Sequence, residues 1–207
     1  FFVAALLSAT AAVMVTEFIY SRNQARAIRG MFAQYVPPEV VAKLVENPDL
    51  FKLGGENREL TLMFTDLADF TAMAEKLPPE ATVEVLTEYF NTMTAIIHKH
   101  KGTVDKFIGD AIMAFWGAPL RCENSADLAI DAALQILQDF EALNQRRRSQ
   151  GLPPIRMRIG IESGEAVVGE MGTRFRTTYT AIGECVNHAS RIEAAAAKFG
   201  LSLLIGP

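Results

Sequence analysis

Two aspartates at the ends of short apolar segments are the residues of this chain best suited to chemistry. Asp110 follows Gly109, and a Gly-Asp pair favours a two-residue hairpin turn because glycine tolerates a positive φ. Asp66 ends the apolar run at 60–65. A pair of carboxylates can hold two divalent cations, which activate an attacking oxygen and neutralise a leaving phosphate. Considered alone, Asp110 and the nearby Lys106 could equally be a surface turn and an edge-strand lysine that discourages aggregation.

The elements that must position these residues are a hairpin and a strand that turns directly into a helix. The hairpin is predicted from strands at 104–108 and 111–115, on either side of Gly109 and Asp110. After Asp66 the free N–H groups from Leu67 to Thr71 would face the space beside the carboxylate and could cradle phosphates. We therefore expect the two aspartates to meet at adjacent central strands.

Four segments, in chain order, resemble the class III nucleotidyl cyclases and specifically the membrane-bound bacterial adenylate cyclases. They are FTDLADFT at 64–71, KFIGDA at 106–111, RIGIESGEAVVGEMG at 158–172 and YTAIGECVNHASR at 179–191. The resemblance covers roughly residues 57–205. It implies the conversion of ATP to 3′,5′-cyclic AMP and pyrophosphate.

The resemblance also implies roles for individual residues. Asp66 and Asp110 would hold two Mg²⁺ or Mn²⁺ ions, assisted by the backbone carbonyl of Leu67. Asn187 would orient the ribose, and Arg191, one helical turn later, would neutralise charge on the α-phosphate. The other substrate contacts would come from Ala68, Asp69, Phe70, Thr71, Ile108 and Gly109. Without the resemblance, Asn187 and Arg191 could be an ordinary exposed helix pair.

Base selection would depend on Lys106 and Thr180. Adenine N1 accepts a hydrogen bond whereas guanine N1 carries a proton, so the Lys106 ammonium favours adenine. The Thr180 hydroxyl can accept from the adenine amino group but can also donate, which would soften discrimination against guanine. By resemblance, Lys106 and Thr180 contact a substrate whose metal ions are held by a second subunit. This arrangement implies a homodimer with two equivalent sites.

Two departures from the family pattern affect the phosphate contacts. Asp69 stands where many relatives have glycine, and it adds negative charge near a polyanion unless it points to solvent. The lysine that the family usually supplies to the triphosphate would lie beyond the end of this chain.

The pattern of the remaining segments predicts an α+β fold, a ferredoxin-like mixed sheet with helices on one side. An apolar stripe of Val83, Leu86, Phe90, Met93 and Ile97 predicts a helix from about 79 to 101. Further helices are expected at 125–148 and, after Gly183, at 184–199, and strands at 177–182 and 201–205. Residues 155–161 and 166–168 are predicted as two strands joined by a turn at 163–165.

The N-terminal region predicts attachment to a membrane. Residues 1–20 form an apolar run long enough to span a bilayer, and Arg22, Arg26 and Arg29 place its C-terminal side in the cytoplasm. A buried helix or a signal peptide is the alternative. Residues 21–56 are predicted as a helical linker that couples an upstream sensor to the catalytic domain, or as a passive connector. The domain itself is assigned to 57–207, C-terminally truncated, on the cytoplasmic side of the inner membrane.

Composition narrows the classes of protein to which this chain could belong. A net charge of −4 argues against nucleic acid as a partner. Two widely separated cysteines argue against a disulfide scaffold, and the three histidines form no ligand cluster. Two competing functions stay open, an inert nucleotide-binding signalling module of the same fold and a guanylate cyclase. A diguanylate cyclase would need a GGDEF-type motif, which this sequence lacks.

Overall fold

The chain divides into two compact units, 1–50 and 51–207, in a computed structural model. The structure describes residues 2–47, 55–75, 77–149, 151 and 154–207, with side chains from residue 12 onward. The first unit consists of helix α1 (Phe2–Phe32) packed against helix α2 (Pro38–Glu46). Pro38 occupies the first turn of α2, where its missing N–H costs nothing.

The predicted membrane segment coincides with the first two-thirds of α1. No helix among the described residues is both long and apolar enough to cross a membrane. The side chains of residues 1–11, which form much of the predicted segment, lie outside the described ones. The membrane helix at 1–20 therefore stays a prediction, as do the boundaries assigned to the linker and the catalytic domain.

The second unit contains a mixed sheet flanked by helices. Within its described residues the strand order is β2-β3-β1-β4-β5, with β6 parallel to β4 and every other pair antiparallel. The strands are β1 (Glu56–Ala68), β2 (Thr103–Ile108), β3 (Ala111–Trp116), β4 (Arg156–Thr173), β5 (Arg176–Ile182) and β6 (Leu203–Ile205). The helices are α3 (Phe70–Ala74), α4 (Pro79–Lys99), α5 (Ser125–Ser149) and α6 (Glu184–Phe199).

Helices α4 and α5 cover one face of the sheet and form the main core with it. Met93 and Ile97 of the predicted stripe are buried there, together with Ile136 of α5 and Ile159 of β4. Val83, at the N-terminal end of the stripe, is 63% exposed, so the stripe is core only over its later turns.

Helix α6 lies on the opposite face of the sheet. Side chains alternate along a strand, and Ile159 faces α4 and α5, so its neighbour Gly160 faces the other way. A Cβ on Gly160 would lie 2.3 Å from the backbone nitrogen of Glu193 in α6. The prediction that all helices lie on one side is therefore wrong.

The turn predicted at 163–165 is also absent, because β4 is a single strand of 18 residues. Ser163, Gly164 and Glu165 pair with Thr61, Leu60 and Glu59 of β1. The glycine serves close packing instead of a turn, since a Cβ at Gly164 would lie 3.0 Å from Cβ of Cys185 in α6. The glycine that predicted a turn therefore marks a close contact between α6 and the sheet.

Candidate active site

Asp66 and Asp110 meet at the end of the β1–β3 pair. Strand β1 pairs with β3 up to Thr65 opposite Ile112, so Asp66 and the β2–β3 turn lie at the same end of the sheet. Gly109 has φ of +64°, as the predicted turn requires. The amide of Leu67, the residue that follows Asp66, donates to Asp110 Oδ2 at 3.2 Å, which brings the two acidic residues beside each other. Burial raises the pKa of Asp110, and the charge of Asp66 raises it further.

This pair of acids fits divalent ions that are held partly by substrate. No group of three or more His, Cys, Asp or Glu side chains that could hold a metal occurs among the described residues. Magnesium is commonly bound by one or two carboxylates, with substrate phosphates and water completing its shell. Two like-charged carboxylates in mutual reach, with Asp110 partly desolvated, are a donor set of that kind.

Two charged residues that the sequence pattern did not single out complete the surroundings of Asp66. Arg158 lies directly opposite Asp66 in the β1–β4 register and forms an ion pair with it. Its Nε also lies 3.0 Å from Oε1 of Glu193 in α6. Burial raises the pKa of Glu193, with Asp66 adding to the effect and Arg158 opposing it. Arginine inside an otherwise apolar strand was the available signal for Arg158; nothing in the sequence marked Glu193.

Asn187 and Arg191 do not lie with the acids of their own chain. Both are exposed on α6. Glu193 is the α6 residue that reaches the Asp66–Arg158 pair. Arg191 precedes Glu193 by two positions, which rotates it about 200° around a helix of 3.6 residues per turn. Arg191, and Asn187 one turn earlier, therefore face away from the end of the sheet where Asp66 and Asp110 lie.

Lys106 and Thr180 do meet, although their strands are at opposite ends of the strand order. Lys106 Nζ lies 3.1 Å from Thr180 Oγ1, so β2 and β5 approach each other across one face of the curled sheet. The Thr180 hydroxyl also donates to Asp105 Oδ2 at 2.5 Å, and the Asp105 side chain is fully buried. Sequence reasoning missed Asp105. Neighbouring side chains of a regular strand point to opposite faces, so Lys106 on the face of Thr180 would place Asp105 on the other face.

The loop after Asp66 resolves the question of the charge on Asp69. Asp69 has φ of +62°, the left-handed conformation that glycine adopts without cost. Its carboxylate is exposed and pairs with Arg156 Nη2 at 2.8 Å, so it points to solvent with its charge partly balanced. In the short helix that follows, Phe70 is buried and Thr71 is exposed. The first hydrogen bond of the helix runs from Met73 N to Asp69 O. The N–H groups of Phe70 and Thr71 precede it and therefore have no acceptor within the helix.

The last two predicted contacts differ in exposure. Ala68 closes β1 and is half-buried, whereas Ile108, which ends β2, is 52% exposed.

Comparison with known proteins identifies the family of this chain. The family described as "Adenylate and Guanylate cyclase catalytic domain" matches residues 55–202. "Adenylate cyclase 1" of Rhizobium meliloti is 41% identical over 182 residues, which cover 88% of this chain but 27% of that protein. The chain thus spans about a quarter of the length of this relative.

Solved structures are similar as well. The guanylyl cyclase Cya2 is 39% identical with a TM-score of 0.64 over 69% of this chain and 73% of its own. The adenylyl cyclase CyaB from P. aeruginosa is 38% identical with a TM-score of 0.66 over 69% of this chain and 74% of its own. With a family match over well more than half of its length, this chain belongs to the adenylate and guanylate cyclase catalytic domain family.

Proposed function

We propose that this chain is the catalytic part of an adenylate cyclase that converts ATP to 3′,5′-cyclic AMP and pyrophosphate. The supporting observation is the contact of 3.1 Å between Lys106 Nζ and Thr180 Oγ1. An ammonium beside an oxygen acceptor matches the N1 acceptor and the amino donor of adenine. The same hairpin carries Asp110 at its turn, against Asp66. Adenylate cyclase 1 of Rhizobium meliloti and the adenylyl cyclase CyaB support this choice by their similarity.

In this proposal the ribose 3′-oxygen forms a bond to the α-phosphorus while the bond from phosphorus to pyrophosphate breaks. Asn187 orients the ribose for in-line attack, and Arg191 neutralises the charge that develops on the α-phosphoryl oxygens. Divalent ions on Asp66 and Asp110, when bound, would lower the pKa of the 3′-hydroxyl and neutralise the triphosphate. Arg158 holds Asp66 in place beside Asp110.

We further propose that the working unit is a homodimer. One chain turns Asn187 and Arg191 away from its own Asp66, so a complete site needs these residues from a second copy. The strands that carry the base contacts also expose apolar side chains that a partner could cover. Phe107 is 48% exposed and Ile182 is 60% exposed.

The first test is turnover with Mn²⁺ by the wild-type chain and by Asp110→Asn, with ATP and GTP assayed in parallel. We expect wild type to favour ATP and the variant to lose at least about 100-fold in kcat, because charge neutralisation of phosphates depends on the metal ligand. Asp131→Asn, on the exposed surface of α5, is a control for loss of one charge. Absence of product from wild type would favour an inert module, and preference for GTP would favour a guanylate cyclase.

The second test is complementation between chains. Asp110→Ala and Arg191→Ala should each be nearly inactive alone. Mixed and reassembled, about half of the dimers would carry one chain of each kind with one intact site, so about a quarter of wild-type activity should return. Failure to recover activity from a mixture that demonstrably forms heterodimers would contradict a shared site.

The sequence alone supports a membrane-bound location. We propose that residues 1–20 anchor the protein in the inner membrane, and that 21–56 link an upstream sensor to a cytoplasmic catalytic domain. The apolar run and the three arginines that follow it support this arrangement. Fractionation of the full-length protein, with and without residues 1–20, tests it, and recovery of the intact protein in the soluble fraction would contradict it.

A further inference from the structure

The Thr180 hydroxyl lies between an anion and a cation supplied by consecutive residues of β2. Its oxygen is 2.5 Å from Asp105 Oδ2 and 3.1 Å from Lys106 Nζ. Consecutive side chains of a regular strand point to opposite faces, but the β2–β3 register shifts between Val104 and Lys106. This β-bulge allows both Asp105 and Lys106 to reach the same hydroxyl.

The three groups fix the direction of each hydrogen bond. A hydroxyl has one hydrogen and two lone pairs, an ammonium only donates, and a carboxylate only accepts. The Asp105 carboxylate also lies 3.3 Å from Lys106 Nζ, so it faces two donors, the Thr180 hydroxyl and the Lys106 ammonium. The Thr180 hydrogen therefore points at Asp105, and Lys106 donates to one lone pair. Among the described residues only Asp105 and Lys106 are hydrogen-bonded to the Thr180 hydroxyl, so its remaining lone pair is left for a ligand.

We propose that Asp105 is a positioning residue for base selection, which holds the Thr180 hydroxyl as an acceptor and so favours the amino group of adenine over the carbonyl O6 of guanine. The inference rests on the proposed function and deepens it. With its hydrogen committed to Asp105, Thr180 meets guanine O6 with a lone pair, and Lys106 meets the guanine N1–H with another donor. Both contacts are then mismatched, whereas a free hydroxyl could rotate and donate to O6.

Burial of Asp105 is consistent with this role. Its side chain has no exposed surface, and burial raises the pKa of Asp105 while Thr180 and Lys106 oppose that effect. The Thr180 hydroxyl and the Lys106 ammonium partly offset the cost of burying this carboxylate, although its Oδ1 makes no hydrogen bond to another described residue. The soft discrimination expected from threonine alone is thereby sharpened by a residue that does not touch the base.

The test compares kcat/KM for ATP and GTP in wild type, Asp105→Asn, Thr180→Val and the double variant. Asparagine keeps the size of aspartate, but its amide can donate to Thr180 and release the hydroxyl hydrogen. We expect the ATP-to-GTP ratio of kcat/KM to fall about tenfold in Asp105→Asn, as for one mismatched hydrogen bond, mainly through faster GTP turnover. In the Thr180→Val background, Asp105→Asn should leave the ratio unchanged, because no hydroxyl remains to be oriented.

Thr103→Val is the matched control. Thr103 lies on the same strand and its buried hydroxyl donates to the carbonyl of Ala118 at 2.6 Å, away from the base contacts. We expect this variant to lose stability and keep the wild-type ratio. Asp105→Ser, which also removes the carboxylate, replaces Asp105→Asn if that variant does not fold.

The outcomes separate the two proposals. A wild type that prefers ATP, with an unchanged ratio in folded Asp105 variants, would overturn the role of Asp105 alone. A ratio that falls equally in Thr103→Val would also overturn it, because general destabilisation would explain the change. A wild type without turnover, or with preference for GTP, would instead overturn the proposed function and this inference with it.

Discussion

Gly160→Ala is a substitution whose functional effect can be worked out from a single backbone contact. The added Cβ would lie 2.3 Å from the backbone nitrogen of Glu193 and 2.6 Å from the carbonyl oxygen of Ala189. Both atoms belong to the backbone of α6, so no change of side-chain rotamer relieves the contact. Gly160 does not adopt a positive φ, and the effect is therefore steric.

The size of the effect follows from the distance that α6 must move. Ordinary van der Waals contact begins near 3.4 Å, so α6 has to shift by about 1 Å. This helix carries Asn187 and Arg191, and a misplacement of that size can cost about 100-fold in rate. Overpacking a close-packed contact costs about 1–3 kcal/mol of stability.

Gly164→Ala provides a matched control on the same face of β4. Its added Cβ would lie 3.0 Å from a side-chain atom, Cβ of Cys185, so a shift of a few tenths of an ångström suffices. We expect it to cost less than about 1 kcal/mol and to change kcat little. The assay is kcat with saturating ATP and Mn²⁺, beside guanidinium unfolding of each variant. A Gly160→Ala enzyme with wild-type kcat and stability would refute the packing argument.

Two further predictions concern charge near the acids. Asp69→Gly removes an aspartate in the left-handed conformation, and the exposed ion pair lost with it contributes little to stability. We therefore expect the free energy of unfolding to rise by about 0.5 kcal/mol and the KM for ATP to fall. An unchanged KM would mean that the Asp69 charge does not reach the triphosphate. The raised pKa values of Asp110 and Glu193 mean that the folded state binds protons more tightly than the unfolded one, so metal-free protein should lose stability as pH rises from about 4 through these raised values. Urea unfolding with a chelator between pH 4 and 8 measures this dependence of stability on pH. Glu193→Gln should flatten the curve of unfolding free energy against pH. A rise in stability over that window would contradict the prediction.

The parts of the site that could be predicted are those that depend on local sequence. A Gly-Asp pair between two apolar segments predicts the turn that carries Asp110, and an apolar run that ends in aspartate predicts the position of Asp66. Only one strand pairing, β1 with β3, is then needed to bring the acids together. Lys106 and Thr180 required the family resemblance, because their contact joins strands at opposite ends of the strand order.

The remaining features depend on tertiary contacts that the sequence pattern does not reveal. Gly164 resembles a turn residue until α6 is known to lie against it. The ion pairs of Arg158 need both the β1–β4 register and the placement of α6 opposite α4 and α5. Asp105 reaches Thr180 only because of a bulge, an extra residue that no period-two pattern predicts.

Helix α6 presents Glu193 and Arg191 in two different directions, and the proposed homodimer follows from this difference. Glu193 turns toward the Asp66–Arg158 pair of its own chain, whereas Arg191 turns outward. Both directions are set by the same contact, since Gly160 meets the helix backbone at Glu193. In a two-fold dimer, a movement of α6 would therefore disturb the acids of its own chain and the α-phosphate contact in its partner together. In the proposed dimer the two sites are therefore coupled through packing, because the helix that lies against the acids of one chain would complete the site of the other.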